Sequence, residues 1–583
     1  MPKIDVNQAI FYDLVKSSWK TGEEFEEALI CAKAELDSDF NDDSLPLQER
    51  ILKIELNDTN RPDLWSTAGL ARQLKHYHSG KAPDFKAYPF FSRPGEMKKA
   101  SRQVMVEPSV APVRPYLAGF IASGKTLDDP LLRDLIQAQD KLAFNFGRRR
   151  RSVSVGIYRN SLIEWPIIYK GADPDQAAFV PLQGEEKLTL REILKQHPKG
   201  REFAFIQEHE AIHPLLVDSK GKILSYPPII NSADLGAVQV GDSSFFVELT
   251  GTDLYALNLA ASIIACDLAD LGFAIEPVEI VYQSETPFGL SYVCPYYFQE
   301  PVFCSLGRIE KFLGEKLSPQ DCMAALSKMG VYSEEAEDAE GGESQKGRGV
   351  RAWPPEYRND YLHAADVAED IMIGRGLSSF TPQRPRDYTL GRLSPLTLLS
   401  RQLKEIMYGL GYQEMIYNYL GSRRDFVERP QRSGEGIIRI SNPMTESYEY
   451  LRDGIIPSLL LSESVSGHSV YPHRIFEIGK VAFLDREDNY GSVTRQFLGF
   501  LEAQGESNFN TMAAQIQTLF YYLSKDYKVE EAIEGSFIPG RAAAIVYNGR
   551  KIGVYGEIHP QVLENYGITM PCTAAELDLE ALL

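Results

Sequence analysis

Apolar residues recur at two spacings in this sequence, and the chain switches between them many times. SVSVGIY (152–158) and SFFVELT (244–250) run or alternate as strands do, whereas DPLLRDLIQAQDKLAFNF (129–146) and DLYALNLAASIIACDLADLG (253–272) repeat with a helical period. Neither pattern persists, and no solenoid-type repeat is present, so the fold class is α+β and multidomain. A length of 583 residues implies roughly three to five domains. The divisions predicted are an N-terminal α+β domain at 1–80, an α+β domain at 101–290, a small helix-rich domain at 295–385, and a mostly antiparallel sheet with flanking helices at 395–583. The segment 203–207, FAFIQ, is taken as a strand. SEEAEDAEGGESQKGRG (333–349) is taken as an acidic surface loop.

The net charge of −20 argues against a surface that binds nucleic acid or anionic membrane indiscriminately, while leaving room for a local basic groove. Six cysteines without a CxxC pair suggest neither a disulfide framework nor a zinc knuckle. The N-terminal residues lack signal-peptide architecture and no apolar run is long enough to span a bilayer, so the expected setting is cytoplasmic, with no membrane partner.

The block PPEYRNDYLHAADVAEDIMI (354–373) places Asp360 just before a predicted helix carrying Asp366, Glu369 and Asp370 at i, i+3 and i+4. Carboxylates on one helical face repel, and a hard cation such as Mg²⁺ relieves the conflict. The same residues also suit a solvated acidic helix start. Two well-known patterns stand in unsuitable contexts. Gly119–Thr126 matches GxxxxGK[ST], yet Gly119 lies inside the strand-like run PYLAGFIA, and Asp128, Asp129 and Pro130 follow. His209–His213 matches HExxH, yet its flanks read as strands, and extended residues at i and i+4 are too far apart to share one zinc ion. A metallohydrolase built on it is the least favoured alternative. Arg148–Arg151 is either a solvated turn or a contact for RNA phosphates.

Several strings in order carry a resemblance: NRPDL (60–64), RPY (114–116), LIQAQDKL (135–142), PPIIN (227–231), VELTGTD (247–253), the carboxylate block, SNPMTESYEYLRDGIIPSLL (441–460), FEIGKV (476–481) and GEIHPQVLENYGITMPC (556–572). End to end, the chain resembles the β subunit of phenylalanyl-tRNA synthetase in its shorter, archaeal/eukaryotic-type form. The resemblance implies a ligase that joins phenylalanine to tRNA(Phe) with ATP as an α2β2 heterotetramer, with the aminoacylation centre in the α subunit and none in this chain. It implies that 101–290 is an editing domain hydrolysing mischarged Tyr-tRNA(Phe), and that 395–583 is a class II synthetase-like domain without the chemistry, Arg474 and Glu477 being remnants of one motif. Asp360, Asp366, Glu369 and Asp370 align with the family's Mg²⁺ site. A second sieve against tyrosine needs a polar partner for the phenol, and Asn231, Glu248, Thr250 and Thr252 are the candidates; Asn231 and Thr252 also suit turn and cap positions. Two departures are Ser232-Ala233-Asp234, where relatives carry a Gly-Asp-type pair, and Leu249 at an expected Cys. The alternative is the same fold as a scaffold without editing.

Overall fold

The computed structural model describes residues 2–583 except 41–43, 82, 85, 237, 339–346, 383, 386 and 387. The chain divides into two compact units, 1–383 and 384–583.

The first unit begins with a three-stranded sheet in the order Lys3–Asn7, Ile51–Leu56, Ala34–Leu36. The acidic stretch EEFEEALICAKAEL (23–36) has the composition of one long helix, but the helix covers only Gly22–Leu29. Lys33 enters the left-handed region, with φ of 50°, and turns the chain into the Ala34–Leu36 strand. The next helix is Thr67–Ser79, and its start is set by the Ser66 hydroxyl, which accepts from the Gly69 amide at 2.9 Å.

The ten-stranded sheet that follows runs Ile230–Asn231, Ile223–Tyr226, His213–Val217, Ile167–Ala172, Gln103–Val106, Ala274–Thr286, Tyr116–Ser123, Ser244–Gly251, Val153–Arg159, with Gly289–Cys294 also pairing on Ala274–Thr286. Only the two pairings of Gln103–Val106 are parallel. The helix Leu254–Asp270 is apolar on nearly every side and buried. Arg72, on Thr67–Ser79, reaches its Asp267 and Asp270 at 2.6 Å each. The sheet curls round: Tyr158, on one edge strand, hydrogen-bonds Ser225 at 2.9 Å and Asn231 at 3.4 Å, at the other end of the strand order.

FAFIQ is not a strand. The His197 ring accepts from the Lys199 amide, Pro198 occupies the first turn, and the helix Pro198–Phe203 runs into a 3₁₀ turn at Ala204–Ile206. Much of the predicted acidic loop is also sheet. Tyr332–Asp338 and Gly347–Trp353 pair antiparallel, and Val302–Ser305 adds to the second of them. The remainder of that loop, 339–346, lies outside the described residues. Helices Leu306–Leu313, Pro319–Lys328 and Ala364–Arg375 accompany this small sheet.

The second unit holds a seven-stranded sheet in the order Gln413–Glu414, His473–Leu484, Ser492–Ala503, Cys572–Asp578, Arg550–Ile558, Phe537–Tyr547, Lys528–Glu531. All its pairings are antiparallel except the first. Helices Pro395–Gly409 and Phe509–Leu523 bury their apolar stripes in one core, and Ile456–Ser464 and Pro560–Tyr566 in another. All six cysteines are free and buried. Among the described residues no helix is long and apolar enough to cross a membrane.

Candidate functional site

Inside the curl of the ten-stranded sheet lies a cavity of about 190 Å³ whose walls include Ser154, Gly156, Tyr158, Ser225, Asn231 and Glu248. Strand alternation explains the set. Ser154, Gly156 and Tyr158 are i, i+2 and i+4 on Val153–Arg159, and Glu248 pairs across from Gly156. Gly156 is required there. A Cβ at this position would meet the Tyr158 hydroxyl at 2.2 Å and Glu248 Oε2 at 2.6 Å.

Glu248 is fully buried. Its Oε2 accepts from the Tyr158 hydroxyl at 2.8 Å, and Oε1 has no hydrogen-bond partner. Burial raises its carboxyl from 4.5 to about 7, against the Tyr158 hydrogen bond and the charge of Arg114. Such a carboxyl holds both protonation states near neutrality, the range a general base needs. Arg114, also buried, donates to the Thr250 hydroxyl at 2.9 Å, to the Thr250 carbonyl, and to Ser154 at 3.0 Å.

Of the four pocket candidates, Asn231 and Glu248 therefore line one cavity. Thr250 sits behind it, held by Arg114 and Ser154. Thr252 lies past the end of its strand, is exposed, and faces a different groove with Asp253 and Tyr255. Tyr158, Ser225, Gly156 and Arg114 were not among the candidates. A glycine and two hydroxyl residues on one face of an otherwise apolar strand, SVSVGIY, carry the signal for three of the cavity's wall residues.

The four acidic residues of 360–370 are each engaged within the chain. Arg358, buried, bridges Asp360 (2.6 and 2.9 Å) and Asp370 (2.7 Å), and Tyr361 donates to Asp370 at 2.5 Å. Burial pushes the Asp360 carboxyl up, but Arg358 overrides it and holds it down at about 2. Asp366 Oδ2 accepts from the amides of Leu362 (2.8 Å) and His363 (2.6 Å), capping Ala364–Arg375. Glu369 pairs with Lys33 at 2.5 Å. Among the described residues no three or more His, Cys, Asp or Glu side chains converge closely enough to hold a metal ion by themselves. The cation between Asp360 and Asp370 is a guanidinium. The contacts above leave one oxygen each of Asp366, Glu369 and Asp370 unused. As donors these suit a hard ion, but only with ligands from elsewhere.

Neither short motif forms its site. Gly119 is within the strand Tyr116–Ser123, and Lys125 donates to the Leu271 carbonyl at 2.7 Å. His213 is in a strand with Nδ1 on the Tyr226 hydroxyl at 2.6 Å, while His209 is exposed. In the second unit, Glu477 makes a buried two-pronged pair with Arg452 (2.7 and 2.8 Å), and Arg474 pairs with Glu502 at 2.7 Å.

Two sequence families match the chain, the phenylalanyl tRNA synthetase beta chain CLM domain over residues 382–579 and the tRNA synthetase B5 domain over 302–377. A phenylalanine–tRNA ligase beta subunit from Borrelia recurrentis is 43% identical over 586 residues, and one from Treponema pallidum is 44% identical over 615, each alignment covering 100% of both chains. An N-terminal fragment of the phenylalanyl-tRNA synthetase beta subunit from Pyrococcus horikoshii is 34% identical, with a TM-score of 0.56, covering 64% of this chain and 100% of the fragment. The chain belongs to the phenylalanine–tRNA ligase beta-subunit family.

Proposed function

We propose that this chain is the non-aminoacylating subunit of a cytoplasmic phenylalanine–tRNA ligase, which with an α subunit attaches phenylalanine to tRNA(Phe) using ATP, and that its own chemistry is hydrolysis of Tyr-tRNA(Phe). The observation that carries the hydrolytic reading is Glu248, a buried carboxyl in the cavity wall, raised to about 7, with one oxygen on Tyr158 and the other buried without a hydrogen-bond partner. As carboxylate, Glu248 takes a proton from water as the water oxygen bonds the ester carbonyl carbon. The ester C–O bond then breaks, and the same proton passes to the departing ribose oxygen. Asn231, Ser225 and Tyr158 supply hydrogen-bonding groups for the phenol that separates tyrosine from phenylalanine.

The proposed division is 1–80, 101–290 as the editing domain, 295–385, and 395–583 as a class II-like domain that docks the α subunit in an α2β2 assembly. In that last domain Arg474 and Glu477 spend their charges on Glu502 and Arg452, which supports an absence of adenylation chemistry. Mg²⁺ is proposed for the face that carries Asp360, Asp366, Glu369 and Asp370; these side chains do not converge on one point by themselves, so the site would need ligands from water and the α subunit. When bound, it neutralises the acidic face. Metal content of the α/β complex, compared with Glu369→Ala, tests that site.

The deciding experiment is deacylation of Tyr-tRNA(Phe) by the α/β complex, wild type against Glu248→Ala. Loss of hydrolysis with phenylalanylation unchanged is expected. No hydrolysis by the wild type, with phenylalanylation intact, would make the subunit a scaffold.

A further inference from the structure

Three concavities of the first unit are joined by shared walls. The Glu248 cavity has Arg150 and Lys199 in its wall. A second, of about 290 Å³, shares both and adds Lys141, Phe144 and Asn145. A third, of about 1350 Å³, shares those last three and continues past Arg148 to Tyr255 and Lys3. A path therefore leads out of the cavity, lined by cations with aromatic rings between them.

Its spine is an unusual piece of backbone. The π-helix Leu142–Phe146 ends at Gly147, where a Cβ would meet the Val153 carbonyl at 2.2 Å. Arg148, Arg149 and Arg150 then all take left-handed φ values of 50°, 56° and 66°, which side-chain-bearing residues rarely adopt. Their amides donate back to the carbonyls of Asn145, Phe144 and Ala143. The turn lays Arg150 over Phe203 at 4.2 Å, Arg151 over Phe205 at 4.8 Å, and Arg149 against Phe205 and Phe144 at 5.3 and 5.8 Å. Phe144 remains 49% exposed. The acidic groups along the path are Asp140, which is exposed, Glu202, paired with Lys199 at 2.9 Å, and Asp253, which caps the helix Leu254–Asp270.

We infer that this path is the track for the unpaired 3′-terminal nucleotides of an aminoacylated tRNA, with Phe144 as a stacking platform and Arg148 and Lys141 on the phosphates, while Arg150, held by the Pro228 and Ile229 carbonyls at 3.2 and 3.1 Å, stiffens the wall. Cations interleaved with an exposed ring are the chemistry of single-stranded nucleic acid binding. A local cationic stripe on a chain of net charge −20 favours one placed ligand over indiscriminate binding. The inference rests on the deacylation reading, since an ester bound at Glu248 must carry its polynucleotide out along some path.

The test uses the α/β complex with Phe144→Ala plus Arg148→Gly, glycine tolerating the left-handed φ. For Tyr-tRNA(Phe), KM for deacylation rises about tenfold at unchanged kcat; for the tyrosyl ester of adenosine alone, which does not reach the track, the change stays under about twofold. Equal effects on both substrates, or none on either, would overturn the track. A readout independent of hydrolysis is photocrosslinking of tRNA(Phe) carrying a photoreactive base near its 3′ end. Crosslinks within 141–151 support the track even if the wild type hydrolyses nothing, in which case the deacylation reading alone fails. Crosslinks confined to other segments overturn the track.

Discussion

Glu248→Gln is expected to separate stability from activity in a pH-dependent way. The folded carboxyl stands at about 7 against 4.5 for the free group, because burial penalises its charge. At about 1.4 kcal/mol per unit, ionising it in the folded chain costs about 3 kcal/mol. The group binds its proton more tightly folded than unfolded. The penalty is therefore absent below pH 4.5, grows as pH rises from 4.5 to 7, and is constant above 7. Glutamine cannot ionise and carries no such dependence. Any fixed cost of placing an amide at the partnerless Oε1 position cancels when two pH values are compared. Amide hydrogen exchange along Ser244–Gly251, corrected for intrinsic rates, reads the local opening free energy within the complex. Protection of the glutamine variant relative to wild type should rise by about two orders of magnitude between pH 4 and pH 8, while Tyr-tRNA(Phe) deacylation is lost. A protection ratio flat across that range, or falling, would show that the carboxyl is not held near 7 by burial.

Gly156→Ala should lower deacylation at least about tenfold without loss of secondary structure by circular dichroism, since the new methyl displaces Tyr158 or Glu248. Arg358→Met leaves Asp360 and Asp370 buried without their cation and should destabilise the unit by about 3–5 kcal/mol in denaturant unfolding. Lys33→Met breaks only the partly exposed pairs with Glu369 and Asp58 and should cost under about 1 kcal/mol in the same assay. Lys125→Ala removes a bond to the Leu271 carbonyl and should leave phenylalanylation and deacylation unchanged, where a phosphate loop would lose ATP-dependent turnover.

Local periodicity is what made the sequence legible. The strands around Glu248 and the helix Leu254–Asp270 announce themselves because burial demands a regular apolar spacing. FAFIQ misleads because its apolar residues are too few to distinguish a strand from a short helix, and the His197-Pro198 start is the better guide. The arms at 332–338 and 347–353 hide because the predicted loop, 333–349, is made of charged, polar and small residues without an apolar stripe, the buried Val350 and Ala352 falling just beyond it. The site was half visible. Glu248 falls on the cavity face by strand alternation, whereas Asn231 and Tyr158 meet only through the curl of the sheet, a long-range event with no local signature. The carboxylate helix shows the converse. Spacing put its acids on one face, but nothing in the spacing said that Arg358, two residues before Asp360, would stand between them.

The curl of the sheet also bears on how the chain keeps its cavity. The strand Val153–Arg159 meets the strands at 223–231 only when the whole strand order between them is in place. The cavity's walls come from opposite ends of that order, so it exists only while every pairing between them holds. A substitution that opens the sheet anywhere along the order would then remove the cavity, and the deacylation proposed for it, without touching a wall residue.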